Sequence, residues 1–207
     1  MRKRSNTEIE TQIKDGDLVR MRHLQIATGA TKLFIKKGYF QTTVREISRA
    51  TGITIGNLYD YIAKKEDVLY LVFDVFHSMW VKSLEEGVAS KSDDPVEQLK
   101  TSLRKMFELV EDHRDMVRLM YTETKLLPRE FLTQILEKES GLVKYFERIL
   151  ENGIERGVFK IKDPFLMANI IVYLISIEPL RGWNLRKKYT VRQLSESVIE
   201  FILDKVL

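Results

Sequence analysis

Few residues in this sequence are of a type and spacing that could support catalysis. His113, Arg114 and Asp115 spell the start of a protein-kinase catalytic loop, but the Asn, the glycine-rich phosphate loop and the Asp-Phe-Gly that should accompany them do not occur. The chain has no Cys, which excludes thiolate nucleophiles and Cys-ligated metals. Its 3 His residues lack the paired spacing of a zinc-binding helix. We therefore predict no catalytic residues, no metal site and no cofactor.

Three carboxylates at four-residue steps form an acidic grouping. Glu147, Glu151 and Glu155 would share one face of a helix, an arrangement that could serve acid–base chemistry or bind a metal. Arg148 and Arg156 lie beside them and no His joins them, so we interpret this grouping as a solvated helix face.

The run that follows Thr54 has a different chemistry, one suited to nucleic acid. The Ile55 side chain could contact a thymine methyl group, and the Asn57 amide could bond an adenine edge in the major groove. Gly56 removes a side chain where a helix would press on the sugar–phosphate wall. Asp60 would repel phosphate, so we expect it to point away from DNA or to accept from a cytosine amino group.

Two short helices would position this run. Thr43 and Glu46 form a capping-box pattern that predicts a helix from Val44 to Ala50. Gly52 supplies a turn residue that tolerates positive φ, and Thr54 caps a second short helix. These are the proportions of a helix-turn-helix, in which the second helix enters the DNA major groove.

The remainder of the chain also shows helical periodicity. We predict an amphipathic helix that begins near Leu18 and stops at Gly38, and no strand anywhere. Pro179 interrupts an apolar run and should kink or end a helix near Glu178. The other predicted helices cover residues 66–90, 96–111, 115–125, 129–152, 163–177 and 191–206.

Charge is concentrated in the amino-terminal third. The first 67 residues carry 13 Lys and Arg against 8 Asp and Glu, whereas the remaining residues carry 21 against 22. Residues 20–65 alone hold 9 basic and 2 acidic side chains, and a basic arm of Arg2, Lys3 and Arg4 precedes them. A basic module on a near-neutral body suggests a polyanionic partner, although a solvated basic face is the alternative.

Length and hydropathy indicate how many domains to expect and whether the sequence contains a membrane-spanning segment. The 207 residues, 44% apolar and 31% charged, are enough for a small domain joined to a larger one. No apolar run reaches the roughly 20 residues that span a bilayer, and the first residues lack a signal-peptide apolar stretch. We expect a cytoplasmic protein with no membrane partner.

The helix-turn-helix region resembles a known family. The stretch TTVREISRATGITIGNLYDYIAKKEDVL, residues 42–69, closely resembles the signature of the TetR family of bacterial transcriptional regulators, except that Ile62 replaces the usual Phe. The resemblance implies an all-α fold with a flexible tail (1–17), a three-helix DNA-binding domain (18–65) and a larger ligand-binding and dimerisation domain (66–207). The residues it places on DNA are Thr43, Arg45, Thr54, Ile55, Gly56, Asn57, Tyr59, Tyr61 and Lys65.

The family resemblance also implies a homodimer formed through the last helices. The predicted helix from residue 163 is apolar on more than one face, so it must bury against two neighbours. A fully buried helix in a monomer is the alternative. The candidate interface residues are Phe165, Ile171, Leu174, Leu194, Val198, Phe201 and Ile202.

Besides DNA binding and a homodimer, the resemblance implies a small apolar effector that binds the larger domain. An aromatic and methionine-rich set of this kind is more often ordinary core than a ligand pocket, and core packing is the alternative here. The candidate pocket residues are Phe73, Phe76, Trp80, Phe107, Met120, Tyr121, Tyr173 and Trp183. The second half is similar to acyl-CoA-responsive regulators of fatty-acid degradation within the family. A basic mouth formed by Lys105, Arg114 and Arg118 would suit the phosphates of coenzyme A.

The sequence thus predicts a ligand-responsive transcriptional repressor that binds a palindromic double-stranded operator as a homodimer. Two alternatives remain at this point: a ligand-independent nucleoid protein of the same fold, and a monomeric small-molecule carrier that has lost DNA binding. The basic character of residues 20–65 argues against the carrier.

Overall fold

The chain folds into helices throughout the part that the structure describes. The computed structural model describes residue 9 and residues 11–88 and 92–207. The α-helices are α1 (Gly16–Lys37), α2 (Val44–Thr51), α3 (Ile55–Tyr59), α4 (Lys65–Val88), α5 (Pro95–Asp112), α6 (Arg114–Glu123), α7 (Arg129–Glu155), α8 (Pro164–Ile175), α9 (Ile177–Leu185) and α10 (Val191–Val206). A 3₁₀ turn, Thr124–Leu126, follows α6. No strand occurs within these ranges, which confirms the all-α prediction.

The first compact unit comprises the chain up to His77 together with Leu119–Leu136. Helix α1 starts where the Asp15 carboxylate accepts from the backbone N–H groups of Asp17 and Leu18, and it ends at Gly38, whose φ of 84° suits glycine. Its apolar face is buried against neighbouring elements of this unit. The buried residues of α1 are Ile26, Ala27, Ala30, Thr31 and Phe34.

A stretch remote in sequence packs within the same unit. The ring of Tyr70 on α4 stacks on Phe131 of α7, with centroids 4.4 Å apart and planes 19° from parallel. The Tyr70 hydroxyl donates to Oε1 of Gln134 at 2.7 Å, and the Lys64 Nζ lies 5.8 Å from the Phe131 centroid. Residues 119–136 therefore belong physically with the helices that start the chain.

The second unit comprises Ser78–Arg118 and Glu137–Leu207. Its core is built from fully buried apolar side chains, supported by one polar pair in which the hydroxyls of Ser102 and Tyr145 lie 2.8 Å apart. Burial raises the pKa of the Tyr145 hydroxyl. The fully buried apolar residues of this unit include Leu99, Leu103, Phe146, Leu150, Ala168, Ile171, Ile202 and Val206.

Pro179 marks a break between two helices, as the sequence predicts. Helix α8 ends at Ile175, two residues earlier than expected, and α9 begins at Ile177 with its axis turned by 52°. Pro179 occupies the first turn of α9, where its missing N–H removes no intrahelical hydrogen bond.

No single helix in the described ranges is long and apolar enough to cross a membrane. The bent pair α8 and α9 meets that criterion by length and composition only when its two parts are taken together.

The start of the chain differs from the flexible tail expected over residues 1–17. Helix α1 begins at Gly16, and Thr11 and Gln12 form hydrogen bonds to the end of α3, so residues 11–17 are attached to the first unit. The remainder of the expected tail, residues 1–8 and 10, lies outside the described residues. The expected domain boundary after residue 65 stays a prediction.

Two glycines of α7 should respond oppositely to replacement by alanine. At Gly153 a Cβ would overlap the buried ring of Phe159, whereas at Gly141 it would lie 3.7 Å from Cη2 of Trp80 in ordinary contact. We expect Gly153→Ala to lower the free energy of unfolding by about 1–3 kcal/mol. Gly141→Ala should raise it by about 0.5–1 kcal/mol through helix propensity. Urea unfolding followed by circular dichroism measures both, and equal effects of the two substitutions would contradict this packing.

Candidate nucleic-acid interface

Helix α3 presents a polar face to solvent while one residue anchors it inside. Leu58 is fully buried, and Ile55, Gly56, Asn57 and Tyr59 are exposed. A Cβ placed on Gly56 would meet nothing within 4 Å, so no part of the chain that the structure describes covers that position. The arrangement leaves the predicted base-reading side chains open to an external partner.

The caps that hold α2 and α3 are those predicted from the sequence. The Thr43 hydroxyl accepts from the Glu46 N–H at 3.3 Å, and the Glu46 carboxylate accepts from the Thr43 N–H at 2.9 Å, which completes the capping box. Gly52 adopts φ 70° between the helices, and the Thr54 hydroxyl accepts from the Asn57 N–H. Both threonines therefore have a structural role beside any contact with phosphate.

Glu46 also forms an ion pair that fixes the start of α2 to the end of α1. The Lys37 Nζ lies 2.5 Å from its Oε1. The hydrogen bond from Lys37, with the bonds from Thr43, lowers the pKa of the Glu46 carboxyl to about 2. The carboxylate thus stays ionised at any pH near neutrality, so the pair persists beside the exposed, cationic Arg45.

Tyr61 requires a correction. Its side chain is only 6% exposed, so the expected contact of this ring with DNA is wrong for this structure. The physical reason is that α3 ends at Tyr59 and the chain then turns inward. The Tyr61 carbonyl lies 2.9 Å from Nε2 of His23, whose pKa is lowered by burial.

Lys65 sits at the start of α4 with its amine already engaged. The Nζ donates to the Tyr39 carbonyl at 2.5 Å and to the Phe40 carbonyl at 3.3 Å, and it lies 4.1 Å from the Tyr39 ring centroid. Burial lowers the pKa of this amine and raises that of the Tyr39 hydroxyl. Lys65 therefore ties α4 to the loop after α1, and its expected phosphate contact stays a prediction.

The predicted dimer residues fall into two groups. Ile171, Leu194, Val198 and Ile202 are buried within their own unit, which corrects their assignment to a surface that meets a partner, because α8 and α10 use these faces for their own core. Leu174 is half-buried. Phe165 and Phe201 are exposed, as an interface requires.

Exposed aromatic residues on α8 and α9 also correct the predicted ligand pocket. Tyr173 and Trp183 are 57% and 68% exposed, and Tyr121 on α6 is half exposed, so none of them lies inside an enclosed cavity of its own unit. Leu166 and Ile170 are also exposed on α8 and were not predicted, although their spacing of seven and three residues from Tyr173 was a signal in the sequence. Together, Phe165, Leu166, Ile170, Tyr173, Trp183 and Phe201 are here called the apolar face.

The other predicted pocket residues are core side chains. Phe73, Phe76 and Met120 are buried in the first unit, and Trp80 and Phe107 in the second. They are divided between units, so the structure does not gather them at a single site within either one.

The second unit contains a cavity of about 500 Å³ between α5, α9 and α10. Of the predicted pocket residues it includes Phe107. The buried Glu178 also lines it, with its carboxylate bonded to the Arg186 guanidinium. The other charged residues of its lining are Arg104, Glu108, Glu111, Arg192 and Glu196. An excess of carboxylates in this lining does not favour a polyanionic ligand.

Within the described ranges, no group of three or more His, Asp or Glu side chains is placed so that it could hold a metal ion. Glu147, Glu151 and Glu155 all lie on α7, at four-residue spacing along the helix.

Two family profiles match the chain. Residues 26–70 match the profile described as "Bacterial regulatory proteins, tetR family", and residues 92–177 match "Tetracyclin repressor-like, C-terminal domain". The first match contains α2, α3 and the start of α4, and therefore the whole exposed polar face.

Relatives and solved structures agree with these matches. The fatty acid metabolism regulator protein of Bacillus subtilis is 25% identical over 188 residues, covering 90% of this chain and 96% of that protein. The structure of the regulator FadR from Bacillus subtilis in complex with stearoyl-CoA superposes with a TM-score of 0.76 at 25% identity, over 89% of this chain and 100% of the other.

A second solved structure shows the shared fold at lower identity. AibR in complex with isovaleryl coenzyme A and operator DNA superposes with a TM-score of 0.75 at 21% identity, over 90% of this chain and 100% of the other.

Proposed function

The chain belongs to the TetR family of bacterial transcription regulators, and from this premise we propose that it acts as a homodimeric repressor whose operator binding is controlled by an acyl-coenzyme A. The relatives it matches are transcription regulators and not enzymes. Regulation of transcription takes place on DNA, which supports the expected cytoplasmic location.

The observation that carries the DNA-binding part is the exposed polar face of α3. Asn57, Ile55 and Gly56 are uncovered on a helix whose position is fixed by the burial of Leu58. Arg45 is exposed on α2, where its guanidinium can bind a phosphate beside the groove. In a dimer, two such faces would meet successive major grooves about one helical turn apart, roughly 34 Å.

Base contact and phosphate contact should be separable by mutation. Asn57→Ala should cost about 1–3 kcal/mol on the operator and relax the preference at one base pair, because the amide reads a base edge. Arg45→Gln should weaken binding to specific and random duplexes alike and reduce the salt slope by about 1. An operator selected from a random pool, titrated by fluorescence anisotropy at several salt concentrations, measures both effects.

The control for Arg45→Gln is Arg192→Gln, which removes another exposed guanidinium, from α10 in the second unit. It should leave affinity and salt slope unchanged. If Asn57→Ala and Arg45→Gln acted alike on operator and random DNA, the assignment of their contacts would be wrong.

The apolar face supports the homodimer. Six large apolar side chains on α8, α9 and α10 are exposed, and large contiguous apolar patches mark protein–protein interfaces. Trp183 is the most exposed of them, and the Arg181 guanidinium carbon and the Lys187 Nζ lie 5.3 and 5.6 Å from its ring centroid. A large aromatic flanked by cations is typical of the anchors of protein interfaces.

Introducing a charge into this face should dissociate the dimer. Trp183→Glu should shift sedimentation equilibrium toward monomer and weaken operator binding at least tenfold, because a carboxylate would be desolvated at the interface. Met21→Glu, at an exposed methionine on α1, is the matched control and should leave the assembly unchanged. A Trp183→Glu protein that sediments as the wild type does would refute this interface.

An acyl-CoA effector is supported by relatives, one of which is named a fatty acid metabolism regulator and one of which is solved with stearoyl-CoA. The exposed Arg114 and Arg118 and the half-exposed Lys105 remain candidates for binding the coenzyme A phosphates. Helix α4 begins in the first unit and ends in the second, so a covalent connection exists between effector domain and DNA-binding helices. The effector changes DNA affinity only if it binds one conformation better than the other.

Stearoyl-CoA should therefore bind and change the operator Kd at least tenfold, whereas coenzyme A alone should not. Isothermal titration calorimetry gives the binding constant, and anisotropy with and without effector gives the coupling. Stearoyl-CoA that binds without changing operator affinity would favour the ligand-independent nucleoid protein over the regulator proposed here.

A further inference from the structure

The cavity of the second unit combines an apolar wall with carboxylates. Its volume of about 500 Å³, between α5, α9 and α10, is in the range of small-molecule sites. The apolar side chains of its lining are Phe107, Val110, Val191, Leu194 and Ile199. None of the candidates for binding coenzyme A, Lys105, Arg114 and Arg118, belongs to this lining. The cavity therefore has a chemistry of its own to be explained.

Glu178 is the buried carboxylate of this lining, and one of its two oxygens is left over. The residue is 5% exposed. Arg186 donates to Oε1 through Nε at 2.6 Å and through Nη2 as well, so both of its donors bond the same oxygen. Arginine and carboxylate often pair through two parallel bonds that use both oxygens. Here Oε2 has no hydrogen-bond partner in the part of the chain that the structure describes.

Gly182 gives the pair of Glu178 and Arg186 its place on α9. A Cβ at position 182 would lie 2.9 Å from Oε1 of Glu178 and 3.3 Å from Nε of Arg186. Because glycine has no side chain, the two charged groups can meet directly over the helix backbone. The pair occupies Oε1 and leaves Oε2 as an acceptor for a donor from elsewhere.

A carboxylate oxygen without a donor is costly in the interior of a protein. It loses the water that hydrates it in the unfolded chain and receives no hydrogen bond in return. Oε2 is closed to solvent, but the terminal torsion of glutamate is broad, so a turn of the carboxylate can present this oxygen to the cavity that Glu178 lines. A ligand that brings an N–H donor would satisfy it.

The other charged residues of the lining favour a cation over an anion. Glu108 and Glu111 are exposed on α5 and form no ion pair with any residue that the structure describes, whereas Glu196 lies 3.6 Å from Nε of Arg104. The lining contains four carboxylates and two guanidinium groups, and the carboxylates are still in excess when Arg186 is counted as a third. No group of three acidic side chains in the described ranges could hold a metal ion, so the fitting cation is organic.

We propose that this cavity binds an organic amine, whose ammonium group donates to Oε2 of Glu178 while its apolar body packs against the apolar wall of α5 and α10. The ammonium supplies both the positive charge that the carboxylates favour and the N–H donor that Oε2 lacks. The site adds a ligand to those of the proposed function and does not rest on that function.

Matched ligands on the wild-type protein test the chemistry of the site. Hexylamine, octylamine and phenethylamine each carry an ammonium group, their alcohols carry no charge, and their trimethylammonium derivatives keep the charge but have no N–H donor. By isothermal titration calorimetry, at least one amine should bind at least tenfold more tightly than its alcohol and its trimethylammonium derivative, because the site requires both charge and donor. If no amine bound, or if the alcohols bound as tightly as the amines, the proposal would be wrong.

Substitutions locate the amine in this cavity. Glu178→Gln keeps the shape of the side chain and removes its charge, and we expect amine affinity to fall about tenfold or more. The double variant Glu108→Gln and Glu111→Gln should reduce it about two- to fivefold, since exposed charges contribute less. Glu151→Gln is the matched control, because Glu151 is an exposed carboxylate on α7 outside the lining, and it should leave amine affinity unchanged.

Thermal melting of each variant, compared with wild type, identifies any loss of folding. A folded Glu178→Gln protein that bound the amines as the wild type does would overturn the site. If Glu178→Gln did not fold, the double variant at the two exposed positions would decide, and its unchanged amine affinity would overturn the site equally. These measurements use no DNA and no acyl-coenzyme A, so their failure leaves the proposed function intact.

Discussion

The burial of Leu58 is the interaction on which the DNA-facing surface depends. Helix α3 has five residues and is too short to be stable alone, so its orientation is imposed by what it buries and by what bonds its ends. With Leu58 inside, the helical period turns Gly56, Asn57 and Tyr59 away from the core. Ile55, at the first position of the helix, is also exposed. The Thr54 cap fixes one end of the helix. At the other end, Thr11 and Gln12 bond the Asp60 carbonyl and His23 lies beside the Tyr61 carbonyl.

A similar constraint shapes the second unit. Helices α8 and α10 carry more apolar residues than one core can cover, and each turns one row inward and leaves another exposed. On α8, Ile171 faces inward and Tyr173 is exposed. On α10, Ile202 faces inward and Phe201 is exposed. The exposed apolar surface is thus a consequence of using both sides of these helices. Pro179 adds the bend that sets Trp183 on a helix of different direction.

Local patterns were sufficient to predict the elements. The capping box at Thr43 and Glu46, the helix stop at Gly38, the positive φ of Gly52 and the break near Pro179 were all predicted, because each depends on residues within a few positions of one another. Helix ends were displaced by a few residues, as at Ile175. Of the nine residues expected on DNA, Tyr61 is buried, because it lies past the end of α3 at Tyr59.

The sequence by itself determined the helical class, the helix-turn-helix, the family and the exposed polar run of α3, since cap residues and 3.6-residue periodicity are local properties of the chain. Only the tertiary structure decided which apolar row of α8 and α10 faces inward, that Lys65 bonds the carbonyls of residues 39 and 40, and that Thr11 reaches Asp60. These contacts join residues up to 49 positions apart. Periodicity shows that a face is apolar, but which neighbour covers it depends on how distant segments pack.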